Sequence, residues 1–145
     1  MAEAVDAKPA QSNEQPQNWA REQFQKANRF LAEKGIIPNK VAVEECRYFA
    51  PYLAIWKISA TKPSKATYWV INGDLPSDLV TVDAAKDARE VLRHFSLAWQ
   101  MKAENLIQQG LRDDTQKQYV NLLISRAESM FTLYQDDKLW QSANA

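Results

Sequence analysis

A change of period near residue 80 constrains this chain more than any other feature. Tyr68-Trp69-Val70-Ile71 is an aromatic and β-branched run of the kind that fits a pleated sheet. Asn72-Gly73-Asp74, followed by Pro76, reads as a turn that ends it. From about residue 83 to residue 109 the apolar residues recur at steps of three and four, the spacing of an amphipathic helix. One segment thus supplies a strand, a polar loop and the principal helix, and the fold must be of mixed class.

The flanking sequence fills in the rest. Asn18 is placed to cap a helix over 18–34, with Trp19, Gln23, Phe24, Ala27, Phe30 and Leu31 on one face, Gly35 just past its end and Pro38 preventing continuation. Residues 40–60 read as two strands. The alternation of the first shifts phase at Glu44-Glu45, which predicts a bulge or a strand edge facing water, and the turn falls at Ala50-Pro51. The second strand is apolar on both faces, as central strands are. Residues 61–65 form a polar turn, and 66–72 the third strand. On the principal helix Ala84, Ala88, Val91, Leu92, Phe95, Trp99 and Leu106 make one stripe. Gly110 ends this helix, and Asp113 or Asp114 caps the next, which runs to about residue 135. The expectation is an α+β fold: an N-terminal helix, a three-stranded antiparallel β-meander, and two long C-terminal helices packed on one sheet face. Residues 1–17 hold too few apolar groups to offset the entropy of ordering them and read as a disordered tail. A single domain then covers 18–135, and 136–145 is a C-terminal tail in which only Leu139 and Trp140 could dock.

Composition enters as a set of exclusions. Eighteen basic and eighteen acidic residues give no net charge, so no overall field draws the chain to nucleic acid or to an anionic membrane. The longest apolar stretch, 49–56, is interrupted by Pro51 and is too short to span a bilayer. Residues 1–17 lack the basic and apolar regions of a secretory signal, so a cytoplasmic location is expected. A single cysteine allows no intrachain disulfide. One cysteine and one histidine supply too few ligands for zinc, and neither metal nor cofactor is expected.

The chemistry-bearing residues give a short set of candidates. A Cys46–His94 nucleophilic pair is disfavoured, because Cys46 shares a strand face with Tyr48 while His94 lies on the outward side of its helix. With three glycines in all, no phosphate-cradling loop can be built, and the stretch 65–71 lacks the glycine of an RNA-recognition strand. Trp69, Asp74, Asp78, Arg89 and Arg93 form the candidate ligand-binding set. The competing structural role is that Asp74 or Asp78 caps the principal helix or pairs with an arginine on its border. Arg126 falls inside the broad apolar arc of the last helix, where a guanidinium needs a partner.

Leu97 and Met101 sit behind the principal helix, opposite its apolar stripe, and are the candidate interface residues. With the two-faced second strand and the broad last helix they leave more apolar surface than one small chain readily buries. A non-enzymatic interaction module, homodimeric and without nucleic-acid or membrane partners, is the first functional expectation. The alternative is a small-molecule-binding protein or enzyme with a polar pocket at the loop 73–78 and the start of the following helix.

The stretch Tyr68-Trp69-Val70-Ile71-Asn72-Gly73-Asp74-Leu75-Pro76-Ser77-Asp78, with Lys86-Asp87-Ala88-Arg89-Glu90-Val91-Leu92-Arg93-His94-Phe95-Ser96-Leu97-Ala98-Trp99-Gln100, resembles a family of small proteobacterial proteins classed as a domain of unknown function. Ala27-Asn28-Arg29-Phe30-Leu31-Ala32-Glu33-Lys34-Gly35-Ile36-Ile37-Pro38 is similar to the same family. The resemblance covers most of the chain after the tail. It implies the localisation and carries no activity, cofactor or site residue with it.

Overall fold

The computed structural model describes the backbone of residues 9–144 and the side chains of residues 16–141. Of the expected disordered tail, residues 1–8 lie outside the described residues, whereas Pro9 onward is helical. The chain folds as two compact units, the division falling between Val82 and Asp83 in sequence. In order, the first holds helix α1 (Pro9–Glu33) and strands β1 (Ile37–Val41), β2 (Arg47–Phe49), β3 (Leu53–Lys62), β4 (Thr67–Gly73) and β5 (Asp78–Thr81). The second holds α2 (Ala88–Gln109), α3 (Asp114–Gln135) and the short α4 (Asp137–Asn144). The class is α+β with an antiparallel sheet and C-terminal helices, as the sequence predicts.

The sheet has five strands, not three. The expected first strand is cut in two because Val43–Glu45 forms a 3-10 turn where the alternation changes phase. The pieces flank one edge of β3: β1 pairs with residues from Ile58 to Lys62, and β2 pairs with Leu53 to Ile55. A turn closed by the Tyr52 amide on the Phe49 carbonyl, 2.7 Å, joins β2 to β3. The fifth strand comes from residues read as loop. Asp78-Leu79-Val80-Thr81 adds antiparallel to β4, its β-branched residues suiting a sheet edge. β3 and β4, both inside the order β1-β3-β4-β5, have the long buried runs that interior strands show.

Alternation along β3 and β4 divides their side chains between two faces. Ala54, Trp56, Ile58 and Ala60 of β3, with Val70 of β4, pack against Ala20, Ala27 and Leu31 of α1. Trp19, Phe24 and Phe30 add to this core, and the Phe24 and Trp56 rings lie 5.2 Å apart. Leu53, Ile55, Trp69 and Ile71, on the opposite face, are also buried. α1 starts ahead of Asn18, so that residue is interior rather than a cap. Its C-terminus is as expected: the Gly35 amide donates to Ala32 O and the Ile36 amide to Leu31 O, with Gly35 at φ 79°. Ile36 is buried in the same cluster as Leu31, the apolar contact that accompanies this ending.

The second unit is a helical hairpin with a terminal helix folded onto it. α2 begins at Ala88, four residues later than its apolar pattern suggests, because Val82–Ala84 is a separate 3-10 turn. Its cap is Asp87, whose Oδ1 accepts from the Glu90 amide at 2.9 Å. Asp113 caps α3 in the same way, through the Gln116 amide. The buried stripe of α2, comprising Ala88, Val91, Leu92, Phe95, Ser96, Trp99 and Ala103, meets Val120, Leu123, Ala127 and Met130 of α3. Ser96 Oγ donates to the Ala127 carbonyl at 2.9 Å, so the one buried hydroxyl in the stripe is satisfied across the hairpin. Arg126 is half-buried beside this interface, and its Nη1 donates to Ser125 Oγ at 3.3 Å.

Candidate functional site

The residues of the expected polar pocket fall in both units, Trp69, Asp74 and Asp78 in the first and Arg89 and Arg93 in the second. Trp69 is fully buried on β4, opposite Lys57 of β3. The Lys57 ammonium stands 5.4 Å from the Trp69 ring centroid and also bonds Glu45 Oε1 at 2.8 Å. The Asp74 amide donates to Tyr52 O at 2.8 Å, which ties the end of β4 to the start of β3. Asp78 opens β5, its Oδ1 accepting from the Leu79 amide. The cap of α2 is Asp87 rather than either of these two carboxylates.

Arg89 is the most elaborated of the five. Its Nε donates to the Tyr134 carbonyl at 2.9 Å and its Nη2 reaches Asp137 Oδ1 at 2.6 Å. The guanidinium also stands 5.4 Å from the Tyr134 ring and 5.8 Å from the Trp140 ring. A cation at the last turn of α3 complements the partial negative charge of that helix end. Trp140 Nε1 donates to Leu133 O at 3.0 Å, so α4 is held at the same point. Arg93, one turn further along α2, is exposed. The sequence flagged Arg89 as a border residue, but Asp137 and Tyr134 are more than forty residues away and share no local pattern with it.

A cavity of about 270 Å³ opens in the first unit, lined by Ala20, Arg21 and Phe24 of α1 together with Val41, Val43, Cys46, Tyr48 and Trp56. The Cys46 thiol donates to Ala42 O at 3.2 Å and accepts from the Lys57 amide at 3.3 Å. Burial pushes that thiol above its ordinary pKa, and the neighbouring Glu45 and Glu44 charges push the same way, while the Lys57 amide and Arg47 oppose. A thiol held neutral with both hydrogen-bonding directions used is a packing group, not an activated nucleophile. Among the described residues no cluster of three or more histidine, cysteine or carboxylate side chains could hold a metal ion. No helix among them is long and apolar enough to cross a membrane.

The outward face of α2 carries the clearest unsatisfied apolar surface of the second unit. Leu97 is 43% exposed and Met101 66% exposed, one helical turn apart on a helix whose other side carries the buried stripe from Ala88 to Ala103. Arg93, Glu104 and Gln108 are exposed along the same face, with His94 half-buried beside Phe95 at a centroid distance of 5.1 Å.

Residues 13–140 match the model of a domain of unknown function (DUF4826), and the chain belongs to that family. No curated protein and no solved structure matches it.

Proposed function

We propose that this chain is a non-enzymatic interaction module of the bacterial cytoplasm that acts as a homodimer, with the outward face of α2 as its contact surface. The observation that carries this reading is the exposure of Leu97 and Met101 on a helix whose opposite stripe is already buried. Such surface is stabilised when a partner removes it from water, at roughly 25 cal/mol per Å² of apolar area. The polar set that would favour the small-molecule alternative has the opposite character. Trp69 is wholly buried, and Arg89 is engaged by Tyr134 and Asp137. The zero net charge supports a protein partner over nucleic acid or an anionic membrane.

Sedimentation equilibrium of the whole chain and of Met101→Glu tests the reading. The expected result is a dimer for the parent protein and a monomer with an unchanged circular dichroism spectrum for the variant. A parent protein that stays monomeric at every concentration sinks the proposal.

A further inference from the structure

The exposed face of α2 has a symmetry that specifies how two copies would meet. Glu90, His94, Leu97, Met101, Glu104 and Gln108 are separated by steps of four, three, four, three and four. These steps keep all six on one seam, the spacing of the a and d positions of a coiled coil. Along that seam, Leu97, Met101, Glu104 and Gln108 are exposed, and Glu90 and His94 half-exposed. The buried residues of the helix are Ala88, Val91, Leu92, Phe95, Ser96, Trp99 and Ala103, none of them on this seam, so the seam faces away from the hairpin core.

We infer, resting on the homodimer reading above, that α2 pairs with α2 of a second copy in antiparallel orientation about a two-fold axis at Trp99. Reversing the seam about that point places Leu97 on Met101 of the partner subunit and Met101 on Leu97 of the partner subunit. His94, with Arg93 beside it, then faces Glu104 of the partner subunit, and Glu90 faces Gln108 of the partner subunit. Every layer joins an a position to a d position, the rule for antiparallel coils, and every contact occurs twice, as an isologous interface requires. The apolar pair lies at the centre, and basic and acidic residues lie to either side of it. The opposed helix dipoles favour the same orientation.

A parallel pairing of the same seam has none of this. It would set Glu104 against Glu104 and His94 against His94, so no acidic residue of the seam would meet a basic one. The pattern is therefore complementary to itself in one orientation only. The occupant it fits is a second copy of this chain.

Charge reversal within one chain distinguishes the orientation from the dimer itself. Dissociation constants would be measured by sedimentation equilibrium for the full chain, for Glu104→Arg, and for the triple variant Arg93→Glu, His94→Glu, Glu104→Arg. The changes are at exposed or half-exposed positions, His94 and Glu104 on the seam and Arg93 beside it, and circular dichroism confirms that each variant is folded. The expected result is at least about tenfold weaker association for Glu104→Arg and recovery to within about threefold of the parent for the triple variant. Recovery within one chain requires the reversed acidic and basic residues to face each other, which only the antiparallel arrangement provides. If Glu104→Arg weakens the dimer and the triple variant weakens it further, the antiparallel geometry is overturned while the homodimer reading stands. A dimer broken by Met101→Glu yet indifferent to Glu104→Arg overturns it equally. A parent protein that never dimerises overturns both.

Discussion

The indole Nε1 of Trp56 donates to Oδ1 of Asn72 at 3.1 Å, and the same amide group donates through Nδ2 to the backbone carbonyl of Gln23 at 2.7 Å. One side chain, only 1% exposed, thereby joins β3, β4 and α1 inside a mostly apolar layer. Asn72→Ala would leave the Trp56 N–H without this acceptor and open a small void. Together these should cost about 2–4 kcal/mol in urea denaturation. Asn72→Asp should be worse at neutral pH, because a carboxylate would then face the Gln23 carbonyl. A buried carboxyl there would have a raised pKa in the fold, so its neutral form stabilises at low pH and that contribution is lost as pH rises. The deficit of Asn72→Asp relative to the parent should therefore narrow on acidification, and a deficit independent of pH would contradict the hydrogen-bond assignment.

What could be read from the sequence followed from local periodicity. The face of α1 from Trp19 to Leu31, the ending at Gly35-Ile36, the central position of β3 and the Asp113 cap all depend on residues near one another in the chain. Asn72 was legible only as a turn residue, because its partners are 16 and 49 positions away. β5 was missed for a related reason. Four residues after a proline look like loop until the edge of β4 offers them hydrogen bonds. At the candidate site, the exposure of Leu97 and Met101 followed from the helical wheel. The engagement of Arg89 by Asp137 did not, since nothing local announces that α4 folds back.

Gly73 is held at φ 129° where β4 ends. A Cβ built there would come within 2.6 Å of Tyr52 O and 2.7 Å of Leu53 Cα, both backbone atoms that cannot swing aside. Gly73→Ala should therefore cost about 2–4 kcal/mol, combining backbone strain with steric displacement of β3. Gly35→Ala meets no atom within 4 Å and should cost only about 1 kcal/mol, the penalty of the left-handed conformation. Chemical-denaturation midpoints of the two variants should fall in that order.

Asp87 is expected to matter more to the start of α2 than either carboxylate upstream. Removing an N-cap acceptor costs about 1 kcal/mol in typical hosts, so Asp87→Ala should lower stability by roughly 0.5–2 kcal/mol. Asp87→Asn, which retains the acceptor oxygen, should recover most of the loss. Equal losses for the alanine and asparagine variants would mean that charge rather than capping governs the site.

Arg89 should act through its bond to the Tyr134 carbonyl more than through its ion pair. The Asp137 side chain is 76% exposed, and a pair so open to solvent contributes little. Asp137→Ala is thus expected to change stability by less than about 0.5 kcal/mol, and Arg89→Ala to lower it by about 1–2 kcal/mol. Arg89→Lys should not restore the parent value, since an ammonium cannot reach the carbonyl and lie against both aromatic rings in the same way. Thermal melts of the three variants check the ranking.

Cys46 carries the pH dependence that can be assigned to one group. Burial is the largest cause holding its thiol above the ordinary value of 9.0, and the thiolate is the reactive form. Alkylation by iodoacetamide at pH 8 should therefore be at least about tenfold slower in the folded chain than in urea. The same shift fixes a stability change. The unfolded thiol loses its proton first as pH rises, so the contribution of Cys46 is complete below the unfolded value and is lost as pH rises through the folded one. Cys46→Ala lacks the thiol but keeps every other titrating group. Between about pH 8 and pH 10, then, the parent protein should lose stability relative to Cys46→Ala, with their difference constant at lower pH. Urea midpoints for both proteins across that range measure the gap. If it stayed constant up to pH 10, or if labelling were as fast in the folded chain as in urea, Cys46 would be a solvated thiol and not the half-buried donor to Ala42 described here.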